Sequence, residues 1–392
     1  MVEKIVDLDQ TTQNHLISMS AQPTRRPTEA IIDLDALEFN FRSCKSFIGP
    51  EVKYMAIVKA DGYGHGAAAC AARLESSGVD WFGVAIPEEG VELRLSGITR
   101  PILCLGSFWP GQESLIVEHR LTPAIYDEAA AKRLEKYASG IGSNVDIHVK
   151  IDTGMGRVGI KYSEATAFAS MLAGLKHLRV SGLLTHFAAA DDPAEDAYNN
   201  LQIDRFETAC KAFHDAGHRP ELIDLANSPG AIRFPNSRGN LVRLGGALYG
   251  LLDDILRPET TAPQLKPVLT LRSKIASIKR IAAGESLGYG RTFVTTRDSV
   301  IALVPVGYAD GYPRGLSNCG KVSVNGSMVP VVGRISMDWT LVDVTDLPSA
   351  AVGSDVLLIG GGIRASALAA HLGTIGYEIT CGLSKRIPRI YE

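Results

Sequence analysis

Between residues 52 and 250 the chain alternates short apolar runs with helix-patterned segments, and this alternation restricts the fold more than any other feature. The runs are "VKYMAIVKAD", "WFGVAI", "PILCLGS", "LTPAIYD", "VDIHVKIDTG", "VSGLLTHF", "ELIDLANS" and "NLVRLGGALYG". Segments such as "GAAACAARLESSG", "PEEGVELRLSG", "DEAAAKRLEKYASG" and "NNLQIDRFETACKAFHDAG" lie between them, with apolar residues at helical spacing and a terminal glycine. Continuously apolar strands joined by helices require a parallel sheet covered on both faces. Eight such units in ~200 residues predict an α/β fold, a (β/α)8 TIM-type barrel.

The pattern changes after about Pro263. "VLTLRSKIASIKRI", "DSVIALVPVGY", "KVSVNGSMVPVVG", "WTLVDVTDL" and "SDVLLIG" read as strands joined by Gly, Asn and Pro turns, with a hairpin signal at Asn325-Gly326. A mostly antiparallel β domain is expected there, with one short helix around "ASALAAHL". At 392 residues two domains are the natural division. The expected boundaries are a flexible extension over 1–27, a barrel over 28–263 and a β domain over 264–392. The early strand "TEAIIDLD", at about 28–35, is expected to pair with the distant β domain.

Charge and composition exclude several classes. A net charge of −3 argues against a nucleic-acid footprint or a polybasic membrane anchor. No apolar run approaches the ~20 residues of a membrane span. The first thirty residues are polar and lack the apolar core of a secretory signal. Six scattered cysteines without a CxxC pair suggest reduced thiols and a cytoplasmic location.

In a barrel of this kind the active site lies at the C-terminal ends of the strands. The polar residues there are Lys59, Lys150 and Asp152, His186, Asn227 and Ser228, and Arg243. A lysine closing a strand is commonplace, but "IVKADGYGHG" places Lys59 before a glycine- and aromatic-rich turn, level with these other groups. Ser228 and Gly245-Gly246 end the seventh and eighth strands, where barrels often bind a phosphate.

Several motifs carry no function. "GMGRVG" (154–159) lacks a helix opening within it and an acid ~20 residues on, so it is no dinucleotide site. "GLSNCGKV" (315–322) has Val322 where a P-loop needs Ser or Thr. His214 and His218 flank the helix breaker Gly217 and read as a solvated helix end, "ANSPG" is no nucleophile elbow, and Gly360–Gly362 is a turn.

What remains is a lysine, a phosphate cradle, an arginine and the tyrosine-rich turns "GYGHG", "GYGRTF" and "GYADGYPRG". A phosphate-bearing cofactor held by a desolvated lysine is pyridoxal 5'-phosphate, PLP. At these residues the chain resembles the alanine racemases. "VKADGYGHG", "KIDTGMGRVG", "THFAAADD", "VRLGGALYGL", "LGYGRTF", "VPVGYADGYPRG", "VGRISMDWTLVD" and "EITCGLSKRIPRIY" run in that family's order from about residue 28 to 392.

The resemblance implies a PLP-dependent isomerase interconverting L-alanine and D-alanine, for peptidoglycan synthesis or D-alanine catabolism. It implies that Lys59 holds PLP and moves the α-proton on one face, while Tyr289 serves the opposite face. His186 and Arg243 match the network that lets a phenol act as a base, and Arg243 matches the residue facing the pyridine nitrogen. Tyr63, Ser228, Gly245, Gly246 and Tyr377 match phosphate contacts. Arg157 and the Met337 main chain match groups near the substrate carboxylate, and Tyr308 and Tyr377 match tyrosines narrowing the entrance. Lys150 matches a position carbamylated in many members; a plain pair with Asp152 is the alternative. No metal is implied. Ala189 stands where the family pattern "HFATAD" has threonine, which bears on the loop but not on His186.

The family further implies a homodimer whose active sites are shared, Tyr289 reaching the partner's PLP. Barrel-plus-β-domain PLP decarboxylases usually carry Glu where Arg243 stands here, and single-barrel PLP carriers lack residues 264–392. A racemase of broader amino-acid specificity is the nearest alternative.

Overall fold

The computed structural model describes residues 26–258 and 260–392, so most of the extension expected over 1–27 lies outside the described residues. The first strand, β1 (Glu29–Ile32), leads into a helix over Leu34–Ile48 capped by the Asp33 carboxylate on Ala36 N at 2.7 Å. Nine further strands follow: β2 (Lys53–Ile57), β3 (Trp81–Val84), β4 (Ile102–Cys104), β5 (Thr122–Ile125), β6 (Val145–Asp152), the two-residue β7 (Ile160–Lys161), β8 (Leu178–Leu184), β9 (Leu222–Asp224) and β10 (Leu241–Leu244).

Eight of these pair in parallel in the order β10-β2-β3-β4-β5-β6-β8-β9, with β7 pairing beside β6. The alternation of apolar runs and helices is thus realised as a nearly closed barrel. Among the described residues no ladder joins β9 to β10. Asn240 closes that seam, its N–H donating to Ile223 O at 3.1 Å and its Oδ1 accepting from Ile223 N at 2.8 Å. Arg243 N adds a bond to Ala226 O at 2.9 Å.

Residues within each strand divide between two cores. Met55, Ile57, Leu103, Ala124, Leu184, Leu222 and Leu241 fill the barrel, while their neighbours Tyr54, Ala56, Val58, Leu183 and Val242 pack in the larger core that holds the helices. Along β6, Ile147, Val149 and Ile151 belong to that outer core. The strand's two-residue period therefore sends His148, Lys150 and Asp152 to the barrel face. The register pairs Lys150 with Leu184 and Leu184 with Asp224, so Lys150 and Asp224 stand at one level of the interior.

The second region contains β11 (Leu269–Lys274), β12 (Ser277–Ile281), β13 (Ser286–Leu287), β14 (Phe293–Val294), β15 (Ser299–Val304), β16 (Lys321–Val324), β17 (Ser327–Pro330), β18 (Thr340–Asp343), β19 (Asp355–Ile359) and β20 (Arg389–Tyr391). A six-stranded sheet has the order β17-β16-β19-β11-β1-β20, beside sheets β12-β15-β18 and β13-β14. Strand β1 pairs antiparallel with β11 and parallel with β20, tying the start of the described chain to its end. At the β16–β17 turn Asn325 and Gly326 have φ of 48° and 83°, the left-handed geometry that Asn-Gly favours in tight hairpins.

The sequence predicts one helix in this region, and the structure has two: Ala365–Leu372 and Gly376–Cys381. The second is too short for its periodicity to register. It packs on the segment after β2, where Arg389 Nε and Nη2 each reach Gly64 O at 3.1 Å. A side chain on Gly64 would collide with Thr380 O, so this approach requires glycine.

Candidate active site

Lys59 ends the run begun by β2 and opens an unusual turn. Ala60, Asp61 and Gly62 have φ/ψ of 52°/50°, 52°/48° and 61°/42°, and Tyr63 follows at φ 55°. This is a left-handed helical turn, costing roughly 1–2 kcal/mol for each non-glycine residue. Local bonds over-determine it: Gly62 N to Val58 O at 2.9 Å, Gly64 N to Ala60 O at 2.9 Å, and Ala67 N to Asp61 Oδ1 at 2.8 Å. Glu89 anchors its start, accepting from Ala60 N and from Ala85 N at 2.7 Å each. Burial, and then the nearby Arg157 charge, lower the Lys59 pKa, which favours the free amine.

The turn aims Tyr63 across the barrel mouth. Tyr63 lies 5.1 Å from Tyr249 and 5.5 Å from Tyr377 between ring centroids. A Cβ on Gly245 would stand 2.9 Å from the Tyr63 hydroxyl, and one on Gly246 would collide with the Tyr377 hydroxyl. Ser228 Oγ accepts from Gly245 N at 2.9 Å. Two phenols and a serine hydroxyl thus converge on a bare Gly-Gly backbone. Burial raises the pKa of both phenols, keeping them neutral hydrogen-bond donors. Asn227 serves the local fold instead, since its side chain accepts from Gly230 N at 3.1 Å and caps the helix Ser228–Arg233.

Arg243 is fixed on three sides. Its Nη1 pairs with the buried Asp224 carboxylate, and its Nη2 reaches Thr185 O at 2.9 Å, Leu225 O at 3.1 Å and His186 Nδ1 at 3.1 Å. Among the described residues its Nε has no protein partner. Burial and then Arg243 itself hold His186 well below the usual imidazole range. Neutral His186 therefore accepts at Nδ1 and carries its hydrogen on Nε2. Burial raises the Asp224 carboxyl, an effect that Arg243 opposes. Sequence reasoning missed Asp224, although an acid inside "ELIDLANS" is as anomalous as a lysine.

Lys150 is buried at the level of Asp224, and burial followed by Arg243 lowers its pKa far below the ordinary lysine value. It does not pair with Asp152. The Asp152 carboxylate instead accepts from Gly154 N at 2.9 Å and Gly156 N at 3.1 Å, holding the turn that leads to Arg157. Those glycine amides, rather than Lys150, supply the hydrogen bonds that Asp152 accepts. Arg157 is exposed, yet its charge is felt by Lys59, Lys150 and His186.

Lys59, Lys150, Arg157, His186 and Arg243 are thus one electrostatic cluster, joined by Tyr63, Ser228, Gly245, Gly246 and Tyr377. Tyr289, Tyr308 and Met337 lie elsewhere on the β region. Tyr289 is 71% exposed, in an open 430 Å³ cleft with Leu303, Arg334 and Trp339. Tyr308 and Met337 are neighbours, since Ala309 N donates to Met337 O at 3.0 Å, and both side chains are exposed.

Neutral buried histidines give this architecture a pH dependence. Burial pushes His65 down to about 4 and His148 down to about 3, from 6.5. Both bind protons more readily unfolded. The stability they confer is therefore complete above pH 6.5 and is lost as pH falls towards those lower values. For His65 alone this is worth roughly 3 kcal/mol. Denaturant titrations should give a lower midpoint at pH 5 than at pH 7.5, with the difference reduced in His65→Gln. Equal midpoints would contradict neutral burial.

The chain matches two family models, "Alanine racemase, N-terminal domain" over residues 32–253 and "Alanine racemase, C-terminal domain" over 268–391. It is 42% identical over 370 residues to an alanine racemase of Desulfovibrio desulfuricans, covering 93% of this chain and 98% of that protein. The alanine racemase structure of Clostridium difficile 630 superposes with a TM-score of 0.88 at 35% identity, over 93% of this chain and 96% of that one. That of Bartonella henselae, with covalently bound pyridoxal phosphate, gives 0.85 at 30% identity, over 93% and 99%.

Proposed function

We infer the working parts of the site from one premise: the chain belongs to the alanine racemase family. It is an alanine racemase, an isomerase that interconverts L-alanine and D-alanine, and nothing favours a broader-specificity racemase. The cofactor we assign is PLP, and the observation that carries this reading is the convergence of Tyr63, Tyr377 and Ser228 hydroxyls on Gly245-Gly246. Those groups suit a phosphate, Lys59 suits a carbonyl, and Arg243 Nε is left for a ring nitrogen. When bound, PLP supplies the electron sink that lets the α-hydrogen of alanine leave as a proton.

The chain's own residues then divide the proton chemistry. Lys59 Nζ, desolvated and favoured as the free amine, removes or returns the α-proton on one face. Tyr289 Oη does the same on the other face, since a planar carbanion is racemised most directly by two opposed groups. A phenol is a poor base near pH 7, so its anion needs donors. Neutral His186, whose Nδ1 accepts from Arg243, offers Nε2–H for that purpose. Arg243 donates without ever releasing its proton, its guanidinium being fixed by Asp224. Arg157 and the Met337 main chain hold the substrate carboxylate, and Tyr308 and Tyr377 narrow the entrance. Lys150 is proposed to carry a carbamate, formed as its neutral amine adds carbon dioxide and gives a proton to solvent. The resulting anion orients Arg157. A 13C-bicarbonate NMR signal absent from Lys150→Arg would test this.

Tyr289 is too exposed to act alone, so we propose a homodimer in which it completes the partner's site. The exposed Tyr308, Met337 and Trp339 on the same region support that surface. We divide the chain near residue 263 into a barrel and a β domain, with β1 crossing to the latter. The six free thiols support a cytoplasmic location, where D-alanine would feed peptidoglycan or be catabolised. Borohydride reduction of the holoenzyme and peptide mapping should leave the pyridoxyl group on Lys59; its recovery on another lysine would end the assignment.

A further inference from the structure

The turn that presents Tyr308 is built on a buried carboxylate. Asp310 is fully buried; its Oδ2 accepts from Gly307 N at 3.0 Å, and its backbone carbonyl accepts from Ser384 N at 3.0 Å. Arg26 grips this carboxylate with both terminal nitrogens, Nη1 on Oδ2 at 2.9 Å and Nη2 on Oδ1. Nη1 also lies 3.4 Å from Pro305 O. On another side Arg386 Nε stands 3.5 Å from Asp310 Oδ1, while its Nη2 reaches Asp338 at 2.7 Å. Asp338 follows Met337. Arg26, Asp310, Arg386 and Asp338 therefore tie the start of the described chain, the Tyr308 turn, the C-terminal segment and the Met337 loop into one charge ladder.

We propose that Arg26 is a positioning residue for catalysis: through Asp310 it fixes the Tyr308 and Met337 loops against the amino-acid substrate. The inference rests on the substrate-side role given above to those two residues. A carboxylate is stable in an interior only when paired and hydrogen-bonded, and a planar guanidinium fork meets both of its oxygens at once. Arg386 cannot replace that fork, because it approaches at 3.5 Å and is already committed to Asp338. Without Arg26 the turn must relax to let solvent reach Asp310. The relaxation reaches Met337 directly, since Gly307 packs so closely on the Met337 carbonyl that a Cβ there would collide with it. Arg26 stands before residue 32, where the family match begins.

Four holoenzyme variants test this. Arg26→Ala should raise KM for L-alanine about fivefold or more while kcat stays within about twofold, the pattern of lost substrate positioning. Arg26→Lys, which keeps the charge but not the fork, should fall between. Hydrogen exchange at the Gly307 and Asp310 amides should accelerate in both, and removal of residues 1–25 with Arg26 kept should change neither quantity. If Arg26→Ala is insoluble, Arg26→Lys carries the test through the same two readouts. Unchanged KM and exchange overturn the proposal. Tyr308→Ala separates the two layers: if it raises KM while the Arg26 variants do not, only the clamp is wrong; if none does, the entrance role of Tyr308 falls as well.

Discussion

Tyr289→Phe should lower racemisation by about a thousandfold or more, within the range lost with a general acid–base group. The variant keeps the ring and removes only the hydroxyl. Because the side chain is 71% exposed, its fold should be intact and cofactor content unchanged. The informative readout is exchange of the α-hydrogen in deuterated water. Lys59 still serves its own face, so one enantiomer should exchange at a rate near wild type while the other becomes inert. Equal residual exchange of both enantiomers would show that Tyr289 is not bound to one face.

Lys59→Ala should be the other severe loss, with no racemisation measurable above background and no exchange of either enantiomer. Lys59 both holds the cofactor and moves a proton in the proposed site, and no other lysine shares its position. Lys150, the buried lysine of the site, points into the barrel at the level of Asp224 and cannot stand in. The left-handed turn after Lys59 is held by Glu89, Asp61 and backbone bonds rather than by the amine, so the fold should survive. Added methylamine should restore exchange of the enantiomer that Lys59 served and, because Tyr289 still serves the opposite face, some racemisation with it. Full turnover without a lysine would refute the assignment.

The barrel was legible because its signal repeats: eight apolar runs, alternating with helix-patterned segments, outvote any local ambiguity. Its closure was not, because the β9–β10 seam is made by two isolated backbone bonds and the Asn240 side chain rather than by a strand pattern. Lys59 stood out as a cation ending an apolar strand. The geometry after it did not, since only Gly62 and Gly64 announce positive φ, whereas Ala60, Asp61 and Tyr63 sit in a turn held by local backbone and Asp61 bonds and by the distant Glu89 carboxylate. Asp224 escaped notice because its strand, Leu222–Asp224, is too short for a two-residue period to mark the acid as inward-facing. Tyr289 was found through its motif alone. In the proposed dimer its exposure is explained by a second copy of the chain, which no single-chain periodicity encodes.

That second copy is the central claim, and subunit mixing tests it most directly. Lys59→Ala and Tyr289→Phe chains, each inactive alone, are co-expressed with distinguishable tags and the mixed dimer is purified. If Tyr289 serves the partner's Lys59, one site of the mixed dimer carries both lesions and the other carries neither. Random pairing makes half the dimers mixed, so the unfractionated mixture should recover about a quarter of wild-type activity, and the purified mixed dimer about half. A purified mixed dimer that remains inactive would show that Tyr289 acts within its own chain.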